Sequence, residues 1–372
     1  MRIPLSIIQV IYSSKQIGSQ QNMENDSSTL IGLVSQYSPS GNERVAAEWL
    51  VTRMKTTGFT NTYIDEAGNA VGIMGSGPKQ IVLLGHIDTV PGKISVRVED
   101  GILYGRGSVD AKAPLACFVD AVARVGKVTG WQFVVIGAVE EERNSDGARF
   151  VVQHYQPDFA IIGEPNHWDR IALGYKGSAW ADITVRSEQF HSAHAGESAC
   201  EAVLDKWLKI KAFADSFNLG RAKTFEKVLL TLRGMESGAD GFEQWARLSI
   251  GVRLPPDLSP SAWYEKITEL ASGANVEPRG FAIPAWACEK NSLLVRALIS
   301  GVRANGGTPN FVYKTGTADL NIVAPVWRCP SAVYGPGDSA LDHTPNEHIE
   351  LEEYTKAVFV LTAALKTLAT IS

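Results

Sequence analysis

The stretch that decides the fold is "QIVLLGHIDTVPG", Gln80 to Gly92. Its first half, Ile81 to Gly85, is short and continuously apolar. Such a run predicts a strand covered on both faces, as in a parallel sheet. Its second half sets a histidine and an aspartate two positions apart, just where the strand runs out. An extended chain turns alternate side chains to the same side, so His86 and Asp88 face together. Ligand-binding and catalytic groups in α/β folds gather at such strand ends. Taken alone, the stretch fits equally well two polar residues that merely finish a strand.

Working outward, the texture repeats. "AVGIMG", "WQFVVIGAV" and "FAIIGE" read as further strands. "STLIGLVSQYS", "NERVAAEWLVTRMKTTGF", "LACFVDAVARV" and "GARFVVQHY" read as helices, the second carrying Val45, Trp49, Leu50 and Met54 at helical spacing. Strand–helix alternation predicts an α/β fold, a mainly parallel sheet flanked by helices. After Gly177 the pattern changes. "SAWADITVR" and "RLSIGVRL" alternate as half-exposed antiparallel strands do, with helical segments around them. This predicts a small α+β domain inserted into the first. From Asn291 the α/β texture returns. The expected organisation is a first domain over 23–176 and 290–372, an inserted domain over 177–289, and an N-terminal stretch 1–22 that is a disordered extension or follows an upstream start.

The chain has 372 residues, 45% hydrophobic and 20% charged, with net charge −5. That composition is ordinary for a globular protein. No basic excess points to nucleic acid, and no apolar stretch approaches the ~20 residues of a membrane span. Cys117, Cys200, Cys288 and Cys329 are far apart and lack CxxC spacing. They predict neither a structural zinc knuckle nor a secreted disulfide scaffold, so a cytoplasmic protein is expected.

Acids and histidines recur after predicted strands. They are His86 and Asp88, Asp110 in "GRGSVDAK", the triple Glu140–Glu142, Glu164 in "IIGEP", and His343 in "LDHTPNEH". Each has a plainer reading: Asp110 as a helix cap, the triple glutamate as a solvated loop, Glu164 as a strand end, His343 as a surface residue. Converging on one pocket, they would repel one another unless cations neutralised them. Two imidazoles and several carboxylates without a thiolate suit zinc, cobalt or manganese, and so many carboxylates suggest two ions.

"GHIDTVP", "GRGSVDAK", "VEEERNSDGAR", "IIGEP", "KTGTAD" and "GPGDSALDHTPNEHI" together resemble the co-catalytic metallopeptidase family of carboxypeptidase G, acetylornithine deacetylase and succinyl-diaminopimelate desuccinylase. The motifs occur in the family's order over residues 27–372. The resemblance implies an amide hydrolase with two divalent metal ions, zinc or cobalt. It assigns His86 and Glu164 to one ion and Glu142 and His343 to the other, with Asp110 bridging. Asp88 would orient His86. Four residues separate Glu142 from Gly147, as in acetylornithine deacetylases, which implies Glu141 as general base; a shift by one within the triple is the alternative. "HSAHAGES" resembles the family's lid histidine motif, with His194 as oxyanion donor, and Arg253 in "SIGVRLPP" resembles the lid arginine that grips a substrate carboxylate.

Within the family, "ALGYKG", "KTGTADLNIVAPVW" and "YGPGDSALDHTPNEHI" most resemble enzymes that release lysine or ornithine from the acidic amino-group carrier protein LysW. The resemblance implies LysW as partner and substrate, hydrolysis at the γ-carboxyl of its C-terminal glutamate, and contacts from Lys176 and Lys314 to its tail. It also implies a homodimer. A small-molecule N-acyl amino acid deacylase is the alternative.

Overall fold

The computed structural model describes residues 27–191 and 196–370, so the 1–22 stretch lies outside the described residues. In chain order the elements are α1 (Ser28–Val34), α2 (Arg44–Thr56), β1 (Asn61–Ile64), β2 (Ala70–Gly75), β3 (Lys79–His86), β4 (Arg97–Glu99), β5 (Ile102–Tyr104), α3 (Lys112–Val125), β6 (Trp131–Ala138) and α4 (Asp146–Val151). Then follow β7 (Phe159–Gly163), β8 (Arg170–Tyr175), β9 (Gly177–Glu188), α5 (Ala199–Phe217), β10 (Leu229–Ala239), β11 (Glu243–Leu254), α6 (Pro260–Leu270), β12 (Asn275–Ile283) and β13 (Trp286–Ala287). The last are α7 (Leu293–Ala304), β14 (Asn310–Lys314), α8 (Leu320–Trp327), β15 (Ser331–Val333), β16 (His348–Glu350) and α9 (Leu351–Ala369). No helix among the described residues is long and apolar enough to cross a membrane.

Two compact units result. The first takes the chain up to Leu173, then Cys288–Val312, then Ile322 onward; the second takes Gly174–Ala287 and Tyr313–Asn321. The expected boundaries at 176/177 and 289/290 therefore move a few residues toward the N-terminus. The return of Tyr313–Asn321 to the second unit was not anticipated. Its cause is local: the Asn321 amide donates to the carbonyls of Tyr175, Lys176 and Pro284, the last at 2.8 Å.

In the first unit the sheet order is β1-β2-β6-β3-β7-β15-β8. The inner strands β6, β3, β7 and β15 run parallel, while β1, β2 and β8 add antiparallel edges. Both faces of the centre are covered, which is why β3, β6 and β7 are unbroken apolar runs. Gly85 pairs in register with Gly137 on one side and Gly163 on the other. A Cβ at any of the three would press on Leu115 or Phe118 of α3, at 3.3, 3.1 and 2.9 Å respectively. This row of glycines lets α3 lie close against the strand ends. "DGILYGRGS", read as turns, contains the short strand β5, which pairs with β4 and β16 in a separate antiparallel sheet.

The second unit is a four-stranded antiparallel sheet, β10-β11-β9-β12, under α5 and α6. Ala179, Ala181, Ile183 and Val185 alternate inward from β9, and Leu248, Ile250 and Val252 from β11. With Ile210, Trp263 and Ile267 of the helices they form one core.

Candidate metal centre

The first unit gathers its acids and histidines at the ends of β3, β6 and β7. His86 is the last residue of β3 and is 1% exposed. Its Nδ1 faces Asp88, 3.1 Å from the main-chain carbonyl and 3.3 Å from Oδ1. That partner fixes the ring and turns Nε2 toward Asp110 Oδ1, 3.1 Å away. Glu164 follows Gly163 as His86 follows Gly85, so both stand at one level of adjacent parallel strands. It is buried, and its carbonyl accepts from the Asn166 amide.

Asp110 lies between the two histidines. One carboxylate oxygen meets His86 Nε2 at 3.1 Å and the other meets His343 Nε2 at 3.0 Å. The cap reading of Asp110 is therefore wrong: α3 begins without a side-chain cap. The His343 Nε2 also reaches Glu142 Oε1 at 2.9 Å. His343 sits in a left-handed backbone conformation, φ 62°, with its side chain about half exposed at 51%.

The electrostatics are those of a site for cations. Burial works to raise the Asp110 pKa, yet the hydrogen bonds from His343 and His86 hold it well below the usual carboxylate range. Burial likewise opposes a charged His86, but Asp110, Asp88 and the nearby Glu141 charge push its pKa well up. His343 is pushed up to about 10 by its bonds to Asp110 and Glu142. Positive charge at both imidazoles is stabilised by carboxylates that would otherwise repel one another.

The triple glutamate divides by geometry. The Glu141 and Glu142 main-chain N–H groups both donate to the Asp88 carboxylate at 3.1 Å. Glu140 instead donates its N–H to Glu43 Oε1, and its side chain approaches Arg143. Glu142 is thus the member that meets His343, and Glu141 is the one whose charge acts on His86. Gly147 ends the loop because a Cβ there would strike Asn69 Oδ1 at 2.3 Å and the Val139 nitrogen at 2.5 Å.

Several supporting residues escaped the sequence reading. Ser40 Oγ donates to Asp88 Oδ2 at 2.7 Å. Glu43 Oε1 receives the N–H groups of Gly41 and Glu140. Asn69 Oδ1 receives the Val139 N–H at 3.0 Å. The Pro-Ser-Gly-Asn-Glu run at 39–43 carried a turn signal, but nothing local in it names the loop it supports.

Donor atoms of His86, Asp110 and Glu142 lie within 4.8 Å of one another. The set is imidazole nitrogen and carboxylate oxygen, and the four cysteines take no part in it. Such donors fit a divalent ion of the zinc, cobalt or manganese kind.

The sequence profile of peptidase family M20/M25/M40 matches residues 82–367. The chain belongs to this family. It is a hydrolase of amide bonds, in a family of divalent-metal enzymes. Among relatives, the [LysW]-lysine hydrolase of Deinococcus radiodurans is 45% identical over 341 residues, covering 89% of this chain and 94% of that one. The [LysW]-lysine/[LysW]-ornithine hydrolase of Sulfurisphaera tokodaii is 28% identical over 330 residues, covering 87% and 90%. Among solved structures, the aminopeptidase PepT of Bacillus cereus superposes with TM-score 0.77 at 19% identity, over 94% of this chain and 99% of that one. The M20 family metallo-carboxypeptidase Sso-CP2 of Sulfolobus solfataricus gives 0.73 at 18%, over 93% and 99%. These two likenesses establish the fold, a mainly parallel sheet flanked by helices together with a second, α+β unit.

The residues expected to serve the site from the second unit behave differently. Arg253 lies on β11 opposite Ser178 and Leu229, and its Nη1 donates to Thr317 Oγ1 at 3.2 Å. Burial and the neighbouring Arg233 lower its pKa. Lys314 is half-buried at the end of β14, and its carbonyl accepts the Lys176 N–H. Lys176 itself corrects an expectation. It is 0% exposed, and its ammonium donates to the carbonyls of Thr224, Phe225 and Lys227. In this arrangement the lysine closes the backbone turn before β10 and presents no surface to solvent. His194 lies outside the described residues.

Proposed function

We propose that this M20 hydrolase releases lysine, or ornithine, from the γ-carboxyl of the C-terminal glutamate of the carrier protein LysW, as a step of lysine or arginine biosynthesis in the cytoplasm. The observation that carries the reading is the 45% identity to the Deinococcus radiodurans [LysW]-lysine hydrolase across 94% of that protein's length.

In this reading His86 and Glu164 would hold one divalent ion, zinc or cobalt, Glu142 and His343 would hold a second, and Asp110 would be a ligand to both. When bound, such ions polarise a carbonyl and lower the pKa of water from 15.7 toward about 7. Asp88 keeps His86 in the tautomer whose Nε2 faces the centre. It also anchors the Glu141–Glu142 backbone. Glu141 takes a proton from the attacking water and returns it to the leaving amine. Arg253 grips a substrate carboxylate with its planar fork. His194 donates to the oxyanion of the tetrahedral species. The active form is a homodimer.

The test is direct. The metal-loaded protein is incubated separately with LysW carrying γ-linked lysine and with acetylornithine, and free lysine or ornithine is quantified. Faster release from the carrier is expected. Faster turnover of acetylornithine would replace the carrier reading with that of a small-molecule deacylase.

A further inference from the structure

Glu347 stands four residues after His343 in "HTPNE" and is 1% exposed. Oε1 of its carboxylate accepts the main-chain N–H groups of Val109 and Asp110, at 2.9 and 3.0 Å. Oε2 accepts Arg106 Nη1 at 2.8 Å. The Glu347 carbonyl takes the Gly105 N–H at 3.3 Å. Arg106, 6% exposed, sends its Nε to the Gly92 carbonyl at 3.0 Å. One side chain thus ties together the segment behind Asp110 and the loop of His343, and through Arg106 it reaches the loop that leaves β3. From there β5 and β16 pair directly, His348 opposite Tyr104.

We infer that Glu347, braced by Arg106, is a positioning residue of the metal centre, holding the Asp110 and His343 segments at a fixed separation. The inference rests on the reading of Asp110 and His343 as metal ligands. The geometry favours it over a plain structural bolt. His343 is half exposed and adopts a left-handed backbone, so its own packing does little to place it. Glu347 contacts the amide of the very residue that His343 faces across the centre. A buried carboxylate is tolerated only when it is well hydrogen-bonded; here Val109 and Asp110 donate to one oxygen and Arg106 to the other, which fixes its orientation. Groups that orient ligands in this way typically change metal affinity 10–100-fold when removed.

The experiment titrates the metal-free full-length protein with Zn²⁺ by calorimetry and with Co²⁺ by visible absorption. Glu347→Gln keeps the shape but turns an amide toward Arg106. It is expected to weaken metal binding about 10–100-fold, to alter the Co²⁺ bands, and to lower kcat at saturating metal more than it changes KM. Arg106→Lys keeps the cation without the fork and is expected to shift affinity in the same direction by less. If Glu347→Gln does not accumulate as folded protein, Arg106→Lys decides by the same readouts. Asp110→Asn is the control. If it binds metal like the parent, the ligand reading itself fails and the inference falls with it. If Asp110→Asn loses metal while Glu347→Gln and Arg106→Lys bind within about twofold of the parent with unchanged Co²⁺ bands, the positioning role alone is overturned.

Discussion

The end of the β3–β6–β7 sheet and the cationic residues Arg253 and Lys176 of the second unit are built on different principles. At the sheet end, each acid is held from several sides. The Asp88 carboxylate takes the N–H groups of Glu141 and Glu142 and the hydroxyl of Ser40, and faces His86 as well. Asp110 engages a histidine with each oxygen. In the second unit, Arg253 has the Thr317 hydroxyl at 3.2 Å as its side-chain partner, and Lys176 has turned away from solvent to serve the backbone. Chemistry that must hold charges of one sign together needs a rigid frame. For the cations of the second unit, residue type alone is a poor guide to role.

The comparison can be broken most sharply at Glu141. Glu141→Gln is expected to lower kcat about 10²–10⁴-fold, the usual share of a positioned base, with metal content unchanged by elemental analysis. Activity near that of the parent would remove Glu141 from the mechanism.

A second effect follows from the histidines. The bonds to Asp110 and Glu142 push the His343 pKa up to about 10, and Asp110, Asp88 and Glu141 push that of His86 well above its usual value against the effect of burial. Both raised values mean that at neutral pH the metal-free centre holds protons that a metal must displace. Affinity is therefore lost as pH falls and gained as it rises toward 10, about tenfold per unit for each proton released. Calorimetry at pH 7 in buffers of different ionisation enthalpy should count about two protons released on full loading. No release would contradict the charge arrangement at Asp110.

The second unit gives smaller effects. Arg253→Lys replaces a planar fork by a point charge. It should raise KM for the carrier substrate about tenfold, the worth of one charged hydrogen bond, and leave metal affinity alone. Lys176→Met should do the reverse of what a contact residue does. It strands buried carbonyls at Thr224, Phe225 and Lys227, so folding stability should fall by about 1–3 kcal/mol while KM stays put. A raised KM at unchanged melting temperature would restore Lys176 to the carrier interface.

Much of the sheet and of its functional end was legible because its signals are local. Gly-His, Gly-Ala and Gly-Glu each close an apolar run, and the three glycines prove to be partners in register. The alternation in β9 and β11 signalled antiparallel strands, but β9, in the middle of its sheet, is buried or half-buried from Gly177 to Val185 rather than half exposed. What could not be read is non-local or brief. β5 is three residues in a glycine-rich context, and the apolar run of β8, "RIALGY", is only Ile171 to Leu173 before Gly174. The Lys176 carbonyl partners lie 48 to 51 residues further along the chain. The Glu347–Asp110 contact joins residues 237 apart. Periodicity has no access to such pairings; they are set by how the strand order folds the chain back.

The central claim is that Asp110 is shared by two ions, one beside His86 and one beside His343. Anomalous diffraction from crystals of the zinc-loaded enzyme tests it most directly. The account predicts two peaks about 3.5–4 Å apart on either side of the Asp110 carboxylate, with His86 at one and His343 at the other. A single peak, or a pair that leaves Asp110 outside both coordination shells, would contradict it.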